Sequence, residues 1–247
     1  MITGFARIDI AAHDAARAGE AYGAFLGREP AEAARGFRLA NVTLRVRAAA
    51  ADEREGLARI VFAARDLSQA RRMLERRGVA TREEGAEVVL EPAASHGVGL
   101  ALEAAAPGKD DEAPTVDDRI AGLDHVVIRT PDPERAIALY GARLGLDFRL
   151  DRSNPAWGSR LLFFRCGNAV VEIATGLESA RSDSPDALSG LAFRATDPDA
   201  VRERLAKSGF DVSEARAGRK PGTRVFTLRS GVVGAPALVI GGQSPDD

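Results

Sequence analysis

One cysteine, Cys166, is all the thiol that the 247-residue chain contains. It can form no internal disulfide and cannot alone build a zinc site, so a reducing cytoplasm is the simplest home. Beside Gly167, in a strand-like run, it reads as a small core residue rather than a nucleophile. Charge of one sign is also lacking: the net charge is −2, and nothing points to a nucleic-acid or membrane partner. No apolar run approaches the roughly 18–20 residues needed to span a bilayer. The opening Met1-Ile2-Thr3-Gly4-Phe5 has no basic stretch followed by an apolar core, so no signal peptide is expected. Apolar content is ordinary, and the length suits one large or two ordinary domains.

What the chain does have is repetition. An apolar strand, a turn containing aspartate and an amphipathic helix recur from Phe5, Leu57, Leu123 and Leu188, with the turn residues Asp14, Asp66, Asp132 and Asp197. In the third copy, the β-branched Val126, Val127 and Ile128 favour a strand. Asp132 can cap the following helix, and Pro133 fits its first turn, where no backbone donor is needed. Ile137, Leu139, Tyr140 and Leu144 then set apolar groups mainly on one face, and Gly145 ends the helix. Strand-like runs follow at Asp147–Arg152, Arg160–Arg165 and Ala169–Ala174 in the third copy, and at Val79–Arg82, Glu87–Glu91 and Val98–Glu103 in the second. The first copy is the shortest, as if a strand had been trimmed.

Between the second and third copies, Ala105–Arg119 is rich in Pro, Gly and Asp and has little to bury, which marks a linker. The expected organisation is an N-terminal domain over 1–104 (modules 5–50 and 57–104), a linker over 105–119, and a C-terminal domain over 120–243 (modules 120–178 and 186–243).

The first strand of the third module reads Leu-Asp-His-Val-Val-Ile from Leu123, its helix opens on Pro131-Asp132-Pro133, and its last strand reads Gly-Asn-Ala-Val-Val-Glu-Ile from Gly167. This module resembles the vicinal oxygen chelate superfamily, which includes glyoxalase I, methylmalonyl-CoA epimerase, extradiol dioxygenases and bleomycin or fosfomycin resistance proteins. The stretch from Leu123 to Ala174 carries the strongest likeness. Glu91-Pro92 through His96-Gly97-Val98 resembles the last hairpin of an epimerase-like module. The resemblance implies an α+β fold: four βαβββ modules paired into two cup-shaped mixed-sheet half-barrels. It also implies a divalent metal gripped by up to four His, Glu or Gln side chains, one on the first and one on the last strand of each paired module. Such ligands suit Fe, Mn, Co, Ni or Zn.

Aligned on the turn aspartates, the ligand positions of the C-terminal domain are His125 and Glu172 in the third module, and Gly190 and a residue near Val239 in the fourth. Two candidates remain and two are lost. In the N-terminal domain the corresponding residues are Arg7 and Arg45 in the first module, and Arg59 and Ala101 in the second. Three arginines repel a metal and bind carboxylates or phosphates. That cup is therefore expected to hold an anionic ligand, or to be filled by acidic side chains of the chain itself.

Other residues have readings of their own. Trp157, in the loop Asn154–Gly158, can border a pocket mouth or pack in the core. His96 reads as structural and His13 as exposed. The basic loop from Arg216 to Arg224 reads as a solvated hairpin. Glu172, in an otherwise apolar strand, needs a partner or a raised pKa. The functional expectation is a cytoplasmic protein, monomer or homodimer, that binds a small oxygen-rich metabolite, with an anionic one as an option. If it is an enzyme, His125 and Glu172 hold one divalent metal, or Glu172 removes a proton next to a carbonyl, in a lyase-, isomerase- or dioxygenase-like reaction. The alternative is a metal-free protein that sequesters its ligand.

Overall fold

The computed structural model describes residues 1–105, 118–234 and 236–242. Of the linker expected at 105–119, only Ala105, Asp118 and Arg119 fall among them, and residue 243, the expected end of the C-terminal domain, lies outside.

Each module begins as its sequence dictates. The first contains β1 (Ile2–Ala12), α1 (Ala15–Leu26), a tight helical turn at Pro30–Ala34, β2 (Phe37–Arg38) and β3 (Thr43–Ala48). The second contains β4 (Gly56–Ala64), α2 (Leu67–Arg76), β5 (Thr81–Glu84), β6 (Glu87–Leu90) and β7 (Leu100–Ala104). The third contains β8 (Ile120–Arg129), α3 (Pro133–Ala136), a wider π-helical stretch at Ile137–Arg143, β9 (Asp147–Asn154), β10 (Ser159–Cys166) and β11 (Ala169–Gly176). The fourth contains β12 (Ala187–Ala195), α4 (Pro198–Lys207), β13 (Asp211–Val212), β14 (Arg216–Ala217), β15 (Arg224–Ser230) and β16 (Ala237–Gly241).

The four turn aspartates all cap helices. Asp14 accepts from the Arg17 amide and Asp66 from that of Gln69. Asp132 accepts from Glu134 and Arg135, and Asp197 from Asp199 and Ala200. Each bond satisfies amide donors that a helix start would otherwise leave orphaned. At the far end of α1, Gly27 takes a left-handed conformation (φ 70°) that most side chains would strain. The first module has two described strands after its helix, against three in the second and third, which fits its short sequence.

The strands form two open mixed sheets. A seven-stranded sheet runs β2-β3-β1-β4-β7-β6-β5. A nine-stranded sheet runs β13-β15-β16-β12-β8-β11-β10-β9, with β14 paired to β15. By compactness, the chain divides differently. Among the described residues, one unit comprises 1–7, 58–105 and 125–189; the other comprises 8–57, 118–124, 190–234 and 236–242.

In the first unit, Val126, Ile128, Val171, Ile173, Tyr140 and Phe164 are all fully buried, and the Tyr140 and Phe164 rings lie 6.0 Å apart. The alternation along β8 and β11 explains this: every second residue goes under the helix, and the residues between stand on the opposite, open face. In the second unit, Ile8, Ile10, Phe193, Phe226 and Val239 are buried, and Phe25 meets Phe193 edge-on with centroids 5.2 Å apart. Among the described residues, no helix is long and apolar enough to cross a membrane.

Candidate functional site

Strands β8 and β11 pair in parallel, with Val170 opposite His125 and Glu172 opposite Val127. Residues opposite one another share a face, as do alternate residues along a strand. His125, Val127, Val170 and Glu172 therefore form one patch on the open face. They are half-buried, while their neighbours Val126, Val171 and Ile173 are fully buried. His125 Nε2 lies 3.6 Å from Glu172 Oε2, and their side chains are only 17% and 14% exposed. That separation is longer than a hydrogen bond but within ion-pair reach once the imidazole is protonated. The partner that a carboxylate in an apolar strand requires is thus the histidine one strand away.

Among the described residues, no group of three or more His, Cys, Asp or Glu side chains is arranged to hold a metal ion. In the second unit, the strand pair of the fourth module offers nothing in addition. Leu191 lies opposite Ala237, Ala192 opposite Leu238 and Phe193 opposite Val239. This register corrects the sequence alignment by one residue: the position matching Glu172 is Leu238, half-buried, whereas Val239 is fully buried on the other face. Neither Leu238 nor Gly190 can ligate through its side chain. Among the described residues these positions give a metal two protein ligands, fewer than a stable N/O site uses.

The three arginines of the N-terminal modules are met by carboxylates of the same chain. Arg7 donates to Glu103 at 2.6 Å and also to Glu87. Arg59 donates to Glu87 at 3.1 Å and to Glu84 at 3.3 Å. Arg45 grips Asp9 with two bonds of 2.8 Å, and Asp9 is 1% exposed. Hydrogen bonds from Arg59 and its charge hold the Glu84 carboxyl below its usual range. Ala101, the remaining ligand position, is buried in an apolar cluster with Ala6, Val61 and Val89. Each of the three arginines thus has a carboxylate of the chain as a partner.

Trp157 stands in a short helical turn (Pro155–Trp157) between β9 and β10, about half exposed, with Asn154 capping the turn through the Ala156 amide. His13 is exposed, and its amide donates to Glu55 at 2.5 Å. His96 has a left-handed backbone (φ 53°), and its carbonyl accepts from the Asp186 amide at 2.8 Å. Burial, and next the charge of Arg135, hold the His96 imidazole below its usual pKa. Cys166 is buried, and burial pushes its thiol pKa well up, which leaves it protonated and inert.

Residues 124–227 match the family model described as the Glyoxalase/Bleomycin resistance protein/Dioxygenase superfamily. That stretch is similar to the vicinal oxygen chelate superfamily. Solved structures agree on the fold over nearly the whole length. A variant of 4-hydroxymandelate synthase from Streptomyces coelicolor superposes with a TM-score of 0.70 at 14% identity, covering 99% of this chain and 94% of that one. The 2,2',3-trihydroxybiphenyl 1,2-dioxygenase of Sphingomonas wittichii gives 0.66 at 14% identity, with coverages of 100% and 93%. At such identities the likeness establishes the fold alone. No curated protein matches the chain in sequence. His125 and Glu172 both lie inside the matched stretch, side by side on the open face of the third module.

Proposed function

We propose that the chain binds a small oxygen-rich metabolite on the open face around His125 and Glu172, without a resident metal. The observation that supports this most is the donor set: one imidazole and one carboxylate 3.6 Å apart, with no third ligand beside them among the described residues. On a face whose neighbouring positions are Val127 and Val170, two such groups fix the orientation of a ligand while the valines give it apolar contact. The pair also suits proton transfer. Glu172 can accept a proton from a carbon next to a carbonyl, and His125 can stabilise the carboxylate or return the proton. The expected N-terminal and C-terminal domains follow the two sheets in this reading, with the ligand on the C-terminal one.

One observation favours a second reading. Nε2 and Oε2 approach closely enough for a single divalent cation to touch both. A metal enzyme would then need its remaining ligands from water, substrate or a partner chain. Metal analysis of the purified protein after loading with Mn, Fe, Co, Ni or Zn separates the two. The proposal expects no stoichiometric metal. One equivalent retained by the wild type and lost in His125→Ala would replace it with the metal reading.

A further inference from the structure

Three arginines that differ from the N-terminal set share the open face with His125 and Glu172. Register places them there. Arg165 on β10 lies opposite Val170, which is itself opposite His125. Arg152 on β9 lies opposite Leu161, and Leu161 opposite Ala174, whose partner on β8 is Arg129. Glu172 occupies the row between, opposite Phe163 on one side and Val127 on the other. Arg165 and Arg129 are thus its diagonal neighbours on the two adjoining strands, at about 7–8 Å between Cα atoms. They sit toward opposite ends of the patch, about 16 Å apart by strand spacing and rise.

All three arginines are exposed, and none has an ion pair or hydrogen-bond partner among the described residues. The carboxylates close to them in the sheet are already engaged. Asp147, the register partner of Arg165, is held by Arg149 at 3.1 Å. Asp151, on the helix-covered face, is gripped by Arg160 with bonds of 2.9 and 2.7 Å. The contrast with Arg7, Arg45 and Arg59 is direct: those guanidiniums are neutralised by the chain, and these are not. Glu172 alone cannot balance three positive charges, so the face carries an uncompensated positive field that favours anions.

We propose that the ligand of this face carries two anionic groups, carboxylate or phosphate, one held by Arg165 and the other by Arg129 with Arg152. Its uncharged middle then lies over Glu172 and His125. The inference rests on the reading of that face as the ligand site. It names the substrate class: a doubly anionic, oxygen-rich metabolite in preference to a neutral or singly charged one. Guanidinium suits the task because it presents paired donors that match a carboxylate or phosphate edge.

The test is calorimetric titration of the full chain, at constant ionic strength, with succinate, inorganic phosphate, acetate and succinamide. It is repeated for Arg165→Gln, Arg129→Gln, Arg152→Gln and, as a control on a helix surface, Arg71→Gln. Succinate is expected to bind at least tenfold more tightly than acetate or succinamide. Arg165→Gln and Arg129→Gln are each expected to weaken it about fivefold or more, with Arg71→Gln unchanged and all thermal midpoints within about 2 °C of wild type. Phosphate binding that is lost only in Arg129→Gln and Arg152→Gln would show that end to be a phosphate seat and would support the same arrangement. Succinate no tighter than acetate, or equal affinity in all variants, would overturn the inference. Losses confined to the arginine variants, with His125→Ala and Glu172→Gln indifferent to every ligand, would keep the inference and sink the proposed role of that pair. The reverse pattern would keep that role and sink the inference.

Discussion

Replacing Asp186 by alanine is expected to destabilise the protein by about 3 kcal/mol. Asp186 has a side chain with no exposure, and Arg135, its partner, is 15% exposed. Arg135 Nη2 donates to Asp186 Oδ1 at 2.6 Å and to the Ser184 carbonyl at 2.6 Å, while Nη1 donates to the Ser182 carbonyl at 3.4 Å. The pair therefore straps residues 182–186 onto the start of α3. Removing one partner of a buried pair leaves the other charge uncompensated, which costs about 3–5 kcal/mol. The low end applies here for two reasons. Arg135 keeps its carbonyl acceptors, and Asp186 Oδ2 is buried without a hydrogen-bond partner, so part of the carboxylate's desolvation is unrelieved in the native state. At about 2–4 °C per kcal/mol for a chain of this size, the thermal midpoint falls by about 6–12 °C. Urea unfolding followed by circular dichroism gives the free energy directly. The double variant Asp186→Ala with Arg135→Leu is expected to lose less than the sum of the single losses, because no orphaned charge remains. A loss below about 1 kcal/mol in Asp186→Ala, or strict additivity in the cycle, would refute this account of the strap.

Stability is expected to carry a signature of His96. Its pKa is lowered in the folded state, so the unfolded chain binds more protons below about pH 6.5, and the contribution present above that pH is lost as pH falls toward the folded value. Urea midpoints from pH 7.5 to 5 should therefore fall more steeply in the wild type than in His96→Asn, whose asparagine also tolerates the left-handed backbone; parallel curves would remove His96 from the explanation. Cys166 should resist thiol reagents in the native protein and react fully in denaturant, and prompt native labelling would contradict its burial. Asp132→Ala removes a cap bonded to two amides and should cost about 1 kcal/mol in the same urea assay; no loss would mean that the cap adds nothing to the α3 start.

Local features of the fold were legible because the physics behind them is local. Each turn aspartate meets amides two or three residues ahead, so its capping role can be read from a short window of sequence. The strands of the second and third modules lie close to where β-branched runs and turn residues placed them. His125 and Glu172 were singled out only by the family resemblance; their approach depends on β8 and β11 being neighbours, which strand patterns do not announce. What was hidden depends on pairing over distance. Arg7 meets acids 80 and 96 residues away, and no short pattern announces Glu87 or Glu103 as its partners. The ligand position near Val239 missed Leu238 because a single-residue shift in register exchanges the two faces of a strand. Arg129, Arg152 and Arg165 drew no notice as ordinary surface charges. Only the sheet register shows that they share a face with Glu172.

The central claim is that this face binds its ligand through His125 and Glu172 without a metal. A thermal-shift screen of oxygen-rich metabolites on chelator-treated protein, run on wild type and Glu172→Gln, tests it most directly. The account expects at least one compound to raise the wild-type midpoint with no metal added, by an amount that grows with concentration, and to lose that effect in Glu172→Gln. Stabilisation that appears only after Mn, Fe or Zn is restored, or that persists undiminished in Glu172→Gln, would contradict it.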